Sequence, residues 1–195
     1  VGPTGKLLAP MGDLPFEEAV AAFGEMVEAG AAAGADCVLI ETMSDLYEVK
    51  AAVLAAKERA SLPVYVTMTF DEDGKLLTGG ELAVAAAVLE GLGADAIGFN
   101  CGLGPQQMAG LLPKLREWNP EMKIVLSVGG WGADGFSDMA MTEEGRRNFA
   151  RSCLDAVEKY NLDGIDIDWE YPCSDAAGIG ADPRDKENFL SLIHI

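Results

Sequence analysis

Short apolar runs alternate along the chain with longer segments in which apolar residues recur at helical spacing. The short runs predict five buried parallel strands, with residues 1–5 as the end of a sixth: 37–40, 64–69, 96–99, 124–128 and 164–167. The longer segments predict six helices: over 16–33, after Ser44 to 59, over 81–92, over 105–117, after Thr142, and from 182 onwards. Strands that alternate with helices in this way indicate a parallel sheet covered by helices.

The predicted fold class is α/β, built of parallel (β/α) units of the TIM-barrel type and forming an incomplete barrel. No Gly-x-Gly-x-x-Gly segment follows the first strand, and polar residues stand just past the ends of several strands. Five or six strands are fewer than a barrel of about 250 residues needs. We expect one barrel-like sheet, with Ser44 as a helix cap, residues 132–138 as a loop, and Glu41, Cys101, Trp131 and Glu170 at the rim.

The formal net charge of the 195 residues is −18, which excludes nucleic acid and anionic membrane surfaces as expected partners. No apolar run approaches the ~20 residues of a membrane span. The four cysteines are widely separated and form no Cys-x-x-Cys pair, so they predict neither a disulfide framework nor a self-contained zinc site. The chain begins at Val1 without an initiating Met, and its compartment stays open.

Three acidic residues alternate with apolar ones at the fifth predicted strand. Period-two alternation places Asp166, Asp168 and Glu170 on one face, with neighbours about 6.6 Å apart along the strand. Three like charges on one face are costly unless some are protonated or paired, which suits general acid catalysis. A metal-binding acidic cluster and a solvated edge strand are the alternatives.

Two polar residues follow predicted strands in the first part of the chain. Glu41 at its strand end could bind an ammonium group, or it could be solvated or cap a helix. Cys101 could ligate zinc as a thiolate, or it could be a small buried hydrophobe.

Residues 1–117 resemble the homocysteine-binding domain of cobalamin-dependent methionine synthase. The resemblance rests on the segments 1–5, 39–42, 66–70 and 98–102, which read VGPTG, LIET, VTMTF and GFNCG. It implies that Glu41 holds the amino-acid end of homocysteine and that Cys101 is one of three zinc cysteines. It also implies zinc, with cobalamin or methyltetrahydrofolate as methyl source, for the parent enzyme. The family's adjacent cysteine pair is missing here, so we expect no cofactor in this chain and no methyl transfer.

Residues 118–189 resemble family-18 glycoside hydrolases of the chitinase type. The resemblance rests on Ser127–Trp131 (SVGGW) and on Asp163–Pro172, which contains DGIDIDWE. It implies that Glu170 protonates the glycosidic oxygen. Asp168 would orient the substrate's 2-acetamido group, whose oxygen attacks the anomeric carbon, and Asp166 would hold Asp168. Trp131 is the expected sugar contact.

The two resemblances meet within one predicted helix, without a Gly/Ser/Pro-rich linker. We therefore interpret the chain as a chimera, formed by mis-assembly of mixed DNA. Residues 190–195 are interpreted as an adapter-derived tail, with an ordinary amphipathic helix that continues from Asn188 as the alternative. Its parents act on small-molecule or oligosaccharide substrates, the first in the cytoplasm and the second in a compartment compatible with secretion. We expect an inactive fragment. The alternatives are a residual hydrolase, a non-catalytic carbohydrate-binding module and a methionine synthase fragment that transfers methyl groups.

Overall fold

The computed structural model describes residues 1–103, 105–121 and 123–195, with the side chains of 105, 106 and 118 left aside. The chain divides into two compact units, Val1–Met122 and Lys123–Ile195. Each unit is built of parallel strands followed by helices.

The first unit alternates four helices with three strands, in the order α1 (Phe16–Ala32), β1 (Val38–Met43), α2 (Leu46–Arg59), β2 (Val64–Met68), α3 (Leu82–Gly91), β3 (Ala96–Phe99) and α4 (Pro105–Trp118). The strands form a parallel sheet in the order β1-β2-β3. Alternate residues of β1 and β2 are buried on one face, among them Ile40 and Val66, which are paired in register. Leu39 and Tyr65 are exposed on the opposite face. Because successive side chains of a strand point to opposite faces, one face of this sheet packs in the core, and the expectation of buried strands is wrong for the other face at Leu39 and Tyr65.

Specific hydrogen bonds fix the amino terminus of this unit and the start of α2. The Val1 amine donates to Leu39 O (2.8 Å) and Glu41 N donates to Val1 O (2.9 Å), so Val1 lies beside β1, but residues 1–5 do not form the predicted strand. The expected cap Ser44 is wrong. Asp45 caps α2, because its carboxylate accepts hydrogen bonds from the backbone N–H groups of residues 47 and 48 (3.2 and 3.1 Å).

The second unit contains β4 (Val125–Gly129), α5 (Phe136–Ala140), α6 (Glu143–Tyr160), β5 (Gly164–Asp168) and α7 (Asp185–Leu192). Strands β4 and β5 pair in parallel. The start of α6 agrees with the sequence, since the Thr142 hydroxyl accepts from Gly145 N (3.0 Å). The predicted loop over 132–138 is wrong in its second half, where Phe136 and Ser137 begin the short buried helix α5.

An aromatic cluster forms the core of the second unit. The rings of Phe136 and Trp169 stack with centroids 5.5 Å apart, and Phe189 meets Trp169 edge-on at 5.8 Å. The fully buried Asp185 carboxylate accepts from Ser137 Oγ (2.7 Å), Asp182 N (2.8 Å) and Cys173 N (3.2 Å). One buried carboxylate thus joins α5, α7 and the segment that follows β5.

The α/β class with parallel units and no closed barrel is confirmed. The expectation of one continuous sheet is wrong. The described residues form two sheets, of three and two strands, in two units that divide after residue 122. Helix α4 runs through Trp118, past the boundary predicted at residue 117. None of the helices in the described part of the chain combines the length and apolar character that a bilayer crossing needs.

Candidate functional site

The acidic motif lies at the carboxyl end of β5, where β4 also ends. Asp166 is exposed and its carboxylate accepts from Ser127 Oγ at 2.6 Å, across the paired strands. Asp168 and Glu170 are half-buried. Ile167 and Trp169 pack into the core on the other face. Asp166 therefore alternates with the packed residues Ile167 and Trp169, whereas Glu170 lies beyond the end of β5 at Asp168. The reading of a solvated edge strand is wrong because one face of β5 is packed.

Two glycines bring the end of β4 against this motif. Gly129 has φ +131°, and a Cβ on it would lie 2.0 Å from the carbonyl oxygen of Asp168. Gly130 N donates to that same oxygen at 2.8 Å, and its own Cβ position would lie 3.9 Å from Asp168 Oδ2. A side chain at Gly129 would push β4 away from Asp168, and Gly130 has φ +105°, a conformation that other residues rarely adopt, so the two glycines allow this strand end.

Two exposed aromatic side chains stand beside the acidic motif. Trp131 is 66% exposed and Tyr171 is 47% exposed, and their rings meet edge-on with centroids 6.3 Å apart. Sequence reasoning named Trp131 and missed Tyr171. The adjacency of Tyr171 to Glu170 in the chain was the available signal, but the meeting of the two rings depends on the loops after both strands.

A second polar group lies at the strand ends of the first unit. Asn100 Nδ2 donates to Thr42 Oγ1 (2.9 Å), and Thr42 N donates to Thr67 Oγ1 (3.1 Å). Thr42 and Cys101 both have φ +61°, a conformation that non-glycine residues seldom adopt outside turns and functional sites. Thr42, Thr67 and Asn100 were missed by the sequence reasoning because only the sheet register places them together.

Glu41 is exposed within β1, two residues before its end, and Cys101 is exposed shortly after β3. The reading of Cys101 as a small buried hydrophobe is wrong. The capping role considered for Glu41 is also wrong, since Asp45 caps α2. Among the described residues, no three His, Cys, Asp or Glu side chains gather closely enough to hold a metal ion. The donor set around Cys101 therefore does not fit a zinc ion that needs three protein ligands.

The fold and the strand-end residues define a protein of the (β/α)-barrel class with an incomplete sheet. The model of the family described as Homocysteine S-methyltransferase matches residues 1–159, and the chain belongs to that family. The match extends beyond the first unit into the second.

The curated relatives that match this chain are of two kinds, chitinases and methionine synthases. Chitinase A1 of Niallia circulans is 46% identical over 84 residues, which are 42% of this chain and 12% of that protein. Methionine synthase of Mycobacterium leprae (strain TN) is 40% identical over 100 residues, which are 49% of this chain and 8% of that protein. The chain thus spans about a tenth of each relative and joins a methyltransferase-like part to a chitinase-like part.

The fold is also seen in solved structures. The homocysteine methyltransferase MmuM from Escherichia coli, in its apo form, aligns with a TM-score of 0.61 at 18% identity. The alignment covers 100% of this chain and 60% of that one. At this identity the likeness shows the fold alone, and it agrees with (β/α) units of the barrel type.

Proposed function

We propose that the chain is a chimeric fragment that carries part of a chitinase site and part of a homocysteine site, and that turns over neither parent's substrate. The observation that carries the proposal is the acidic motif, which stands at the end of a two-stranded sheet with Asp166 exposed. The chitinase-like part is the better developed of the two, because its carboxylates and aromatic rings lie together within one compact unit.

The roles in this site follow from the resemblance to family-18 hydrolases. Glu170 would donate a proton to the glycosidic oxygen between two N-acetylglucosamine units. Asp168 would orient the 2-acetamido group, whose oxygen attacks the anomeric carbon, in the substrate-assisted scheme known for that family. Asp166 would hold Asp168 in place, and its 2.6 Å hydrogen bond from Ser127 supports a fixed position for it. Trp131 would contact a sugar ring.

Turnover requires more than these groups. The attacking oxygen has to be held about 3–3.5 Å from the anomeric carbon, and a misplacement of ~1 Å can cost about a hundredfold in rate. The described residues place two strand ends around the motif, with Trp131 and Tyr171 largely open to water. Such a surface leaves the acetamido group mobile, so we expect hydrolysis at background level.

The test is hydrolysis of a fluorogenic chitobioside by the full chain and by Glu170→Gln. This variant removes the acid while it keeps the size of the side chain. We expect equal rates, with an active chitinase as the positive control for the assay. General acid catalysis contributes about a hundredfold or more to the rate. If the wild type is more than about tenfold faster than the variant, the chain is a residual hydrolase and this proposal is wrong.

Methyl transfer has less support than glycoside hydrolysis as a residual activity. Glu41 in β1 and the exposed Cys101 after β3 lie on the two sides of β2 in one sheet, and the resemblance assigns both residues to a homocysteine site. A zinc ion in the parent family keeps the substrate thiolate nucleophilic at neutral pH. The described side chains do not supply its three protein ligands, so we assign no methyl-transfer step to this chain.

Carbohydrate binding without catalysis is a second candidate function, and the Trp131–Tyr171 pair favours it. Exposed aromatic rings bind the apolar faces of sugars. Retention of Glu170 weighs against it, since lectin-like relatives of the hydrolases typically lose that acid. Calorimetric titration with chitotetraose checks the candidate, with Trp131→Ala as the test variant and Tyr65→Ala as the control. Equal heats from wild type and Trp131→Ala would exclude it.

A further inference from the structure

The loops that follow β4 and β5 each carry one ring of the exposed aromatic pair. Trp131 lies at a corner of the four-residue turn 130–133, which the Ala133 N–H closes by donating to Gly130 O (3.0 Å). Gly132, at the next corner, has φ +78°, a value that glycine adopts readily at the third position of a turn. The direction of the Trp131 ring therefore depends on how this turn is anchored.

Hydrogen bonds anchor the turn at both of its ends. At its start, the Gly130 N–H donates to Asp168 O (2.8 Å). Directly after the turn stands Asp134, whose Oδ1 accepts from the Gly180 N–H in the loop after β5 (2.8 Å) and from the Gly135 N–H (2.7 Å). These two bonds, that from Gly180 first, lower the pKa of the Asp134 carboxyl because they favour its charged form. Asp134 thus connects the turn to the other loop.

The loop after β5 provides a fixed point for this connection. The buried Asp185 Oδ2 accepts from Cys173 N (3.2 Å) and from Asp182 N (2.8 Å), so the ends of the segment between these two residues lie close together. Within that segment Ile179 packs in the aromatic core. Gly180 follows it directly, so its N–H is held in place when it donates to the carboxylate of Asp134.

Tyr171 belongs to the same fixed loop. Its carbonyl oxygen accepts from the Ser174 N–H (3.2 Å), and Cys173, which lies between the two, is hydrogen-bonded to Asp185. One ring of the pair therefore lies on a loop that Asp185 fixes, and the other lies on a turn whose far end only the Asp134 carboxylate joins to that loop among the printed hydrogen bonds of residues 130–135.

We propose that Asp134 is a positioning residue for sugar binding, because its carboxylate joins the two loops and holds the Trp131 ring against Tyr171, so that both rings meet one oligosaccharide of N-acetylglucosamine. The inference rests on the candidate function of carbohydrate binding. Asp134 acts through the turn and does not itself contact the sugar. Without the bond from Gly180, the turn is anchored at its start alone, and the Trp131 ring gains freedom that binding has to remove again.

The test measures ring geometry and sugar binding separately on the full chain. Nuclear Overhauser contacts between the ring protons of Trp131 and Tyr171 report the geometry without sugar, and contacts between Phe136 and Trp169 report the folded core. In Asp134→Ala we expect the first contacts to weaken and the second to remain. Calorimetric titration with chitotetraose should give an affinity about threefold or more below that of the wild type, in the range of one lost hydrogen bond.

Two variants separate the hydrogen bonds from the charge. Asp134→Asn keeps an acceptor oxygen for both N–H groups, so it should preserve the ring contact and bind within about twofold of the wild type. Asp175→Ala is the matched control, since it removes an exposed carboxylate from the loop after β5, and it should change neither measurement. If either of these variants behaves like Asp134→Ala, charge and not the hydrogen bonds matters, and the proposal is wrong.

The ring contact decides the inference independently of the sugar. An unchanged Trp131–Tyr171 contact in Asp134→Ala would overturn it, and so would unchanged affinity in a wild type that binds. Loss of the Phe136–Trp169 contacts as well would also overturn it, because Asp134 would then hold the whole unit. If the wild type does not bind chitotetraose but Asp134→Ala still loses the ring contact, the carbohydrate-binding candidate fails and the positioning of the pair by Asp134 stands.

Discussion

Replacement of Gly129 by alanine should displace the end of β4 from Asp168. Gly129 pairs with Asp168 in the β4–β5 register, and the added Cβ would lie 2.0 Å from the Asp168 carbonyl oxygen and 2.7 Å from its carbon. The added Cβ is fixed to the backbone of residue 129 and would meet backbone atoms of Asp168. No side-chain rotation can therefore relieve the contact. The strand end has to move, and the hydrogen bond from Gly130 N to the same oxygen is expected to break.

The cost has two sources. Alanine at the φ of Gly129, +131°, costs about 1–3 kcal/mol in backbone strain. The displacement adds about 1–3 kcal/mol for overpacking and about 1 kcal/mol for the lost hydrogen bond. Gly132→Ala is the matched control, because Gly132 also has a positive φ of +78° but its Cβ would meet only Ala177 O, at 3.9 Å. We therefore expect Gly129→Ala to destabilise the second unit by about 2–4 kcal/mol more than Gly132→Ala.

The measurement is urea unfolding followed by near-ultraviolet circular dichroism, in which the stacked Phe136–Trp169 pair reports on the second unit. The free energy of unfolding is compared among the wild type, Gly129→Ala and Gly132→Ala. Equal losses in the two variants would mean that only the backbone conformation matters. In that case the close approach of β4 to Asp168 would not be a constraint on the site.

Three further predictions concern buried charge, pH and metal. Asp185→Ala should destabilise the second unit by about 3–5 kcal/mol, since it leaves buried donors without acceptors. The control is Glu187→Ala, because Glu187 is exposed in the same first turn of α7 and its loss should cost about 1 kcal/mol or less. Equal unfolding midpoints of the two variants would contradict this prediction. Hydrogen bonds from Arg184 lower the pKa of Asp182 from 3.8 to about 2. The ionised Asp182 therefore stabilises the fold above pH ~4, and this contribution disappears as the pH falls towards 2, so that wild type and Arg184→Gln should converge in stability over that range. A stability difference that stays constant down to pH 2 would exclude the linkage. Zinc titration against a competing indicator should give only micromolar or weaker affinity, unchanged in Cys101→Ser; a stoichiometric nanomolar site lost in that variant would show a zinc centre built on Cys101.

Local patterns were sufficient for most elements. Strand β3 lies where the apolar run predicted it, and α6 begins directly after Thr142. The alternation within β5 puts the exposed Asp166 beside the packed Ile167, because the period of a strand depends only on local backbone geometry, whereas Glu170 lies past the strand end at Asp168. Capping was harder. Ser44 and Asp45 are both good cap residues, and the choice of Asp45 depends on where α2 packs and on the Thr78 hydroxyl that binds the Asp45 carboxylate at 2.8 Å.

The sequence by itself determined the alternation of strands and helices, the acidic motif and the presence of two kinds of enzyme segment. Each of these features depends only on residues that are close together in the chain. Tertiary structure alone decided that the strands form two sheets, because pairing joins residues far apart in the chain and carries no local signature. It also decided that Asp185 is fully buried while Glu187, two residues later in the same turn, is exposed. Both are acidic residues at a helix start, and only the donors that surround one of them distinguish their roles. The same holds for Tyr171, which reaches Trp131 through the packing of two loops that no local pattern describes.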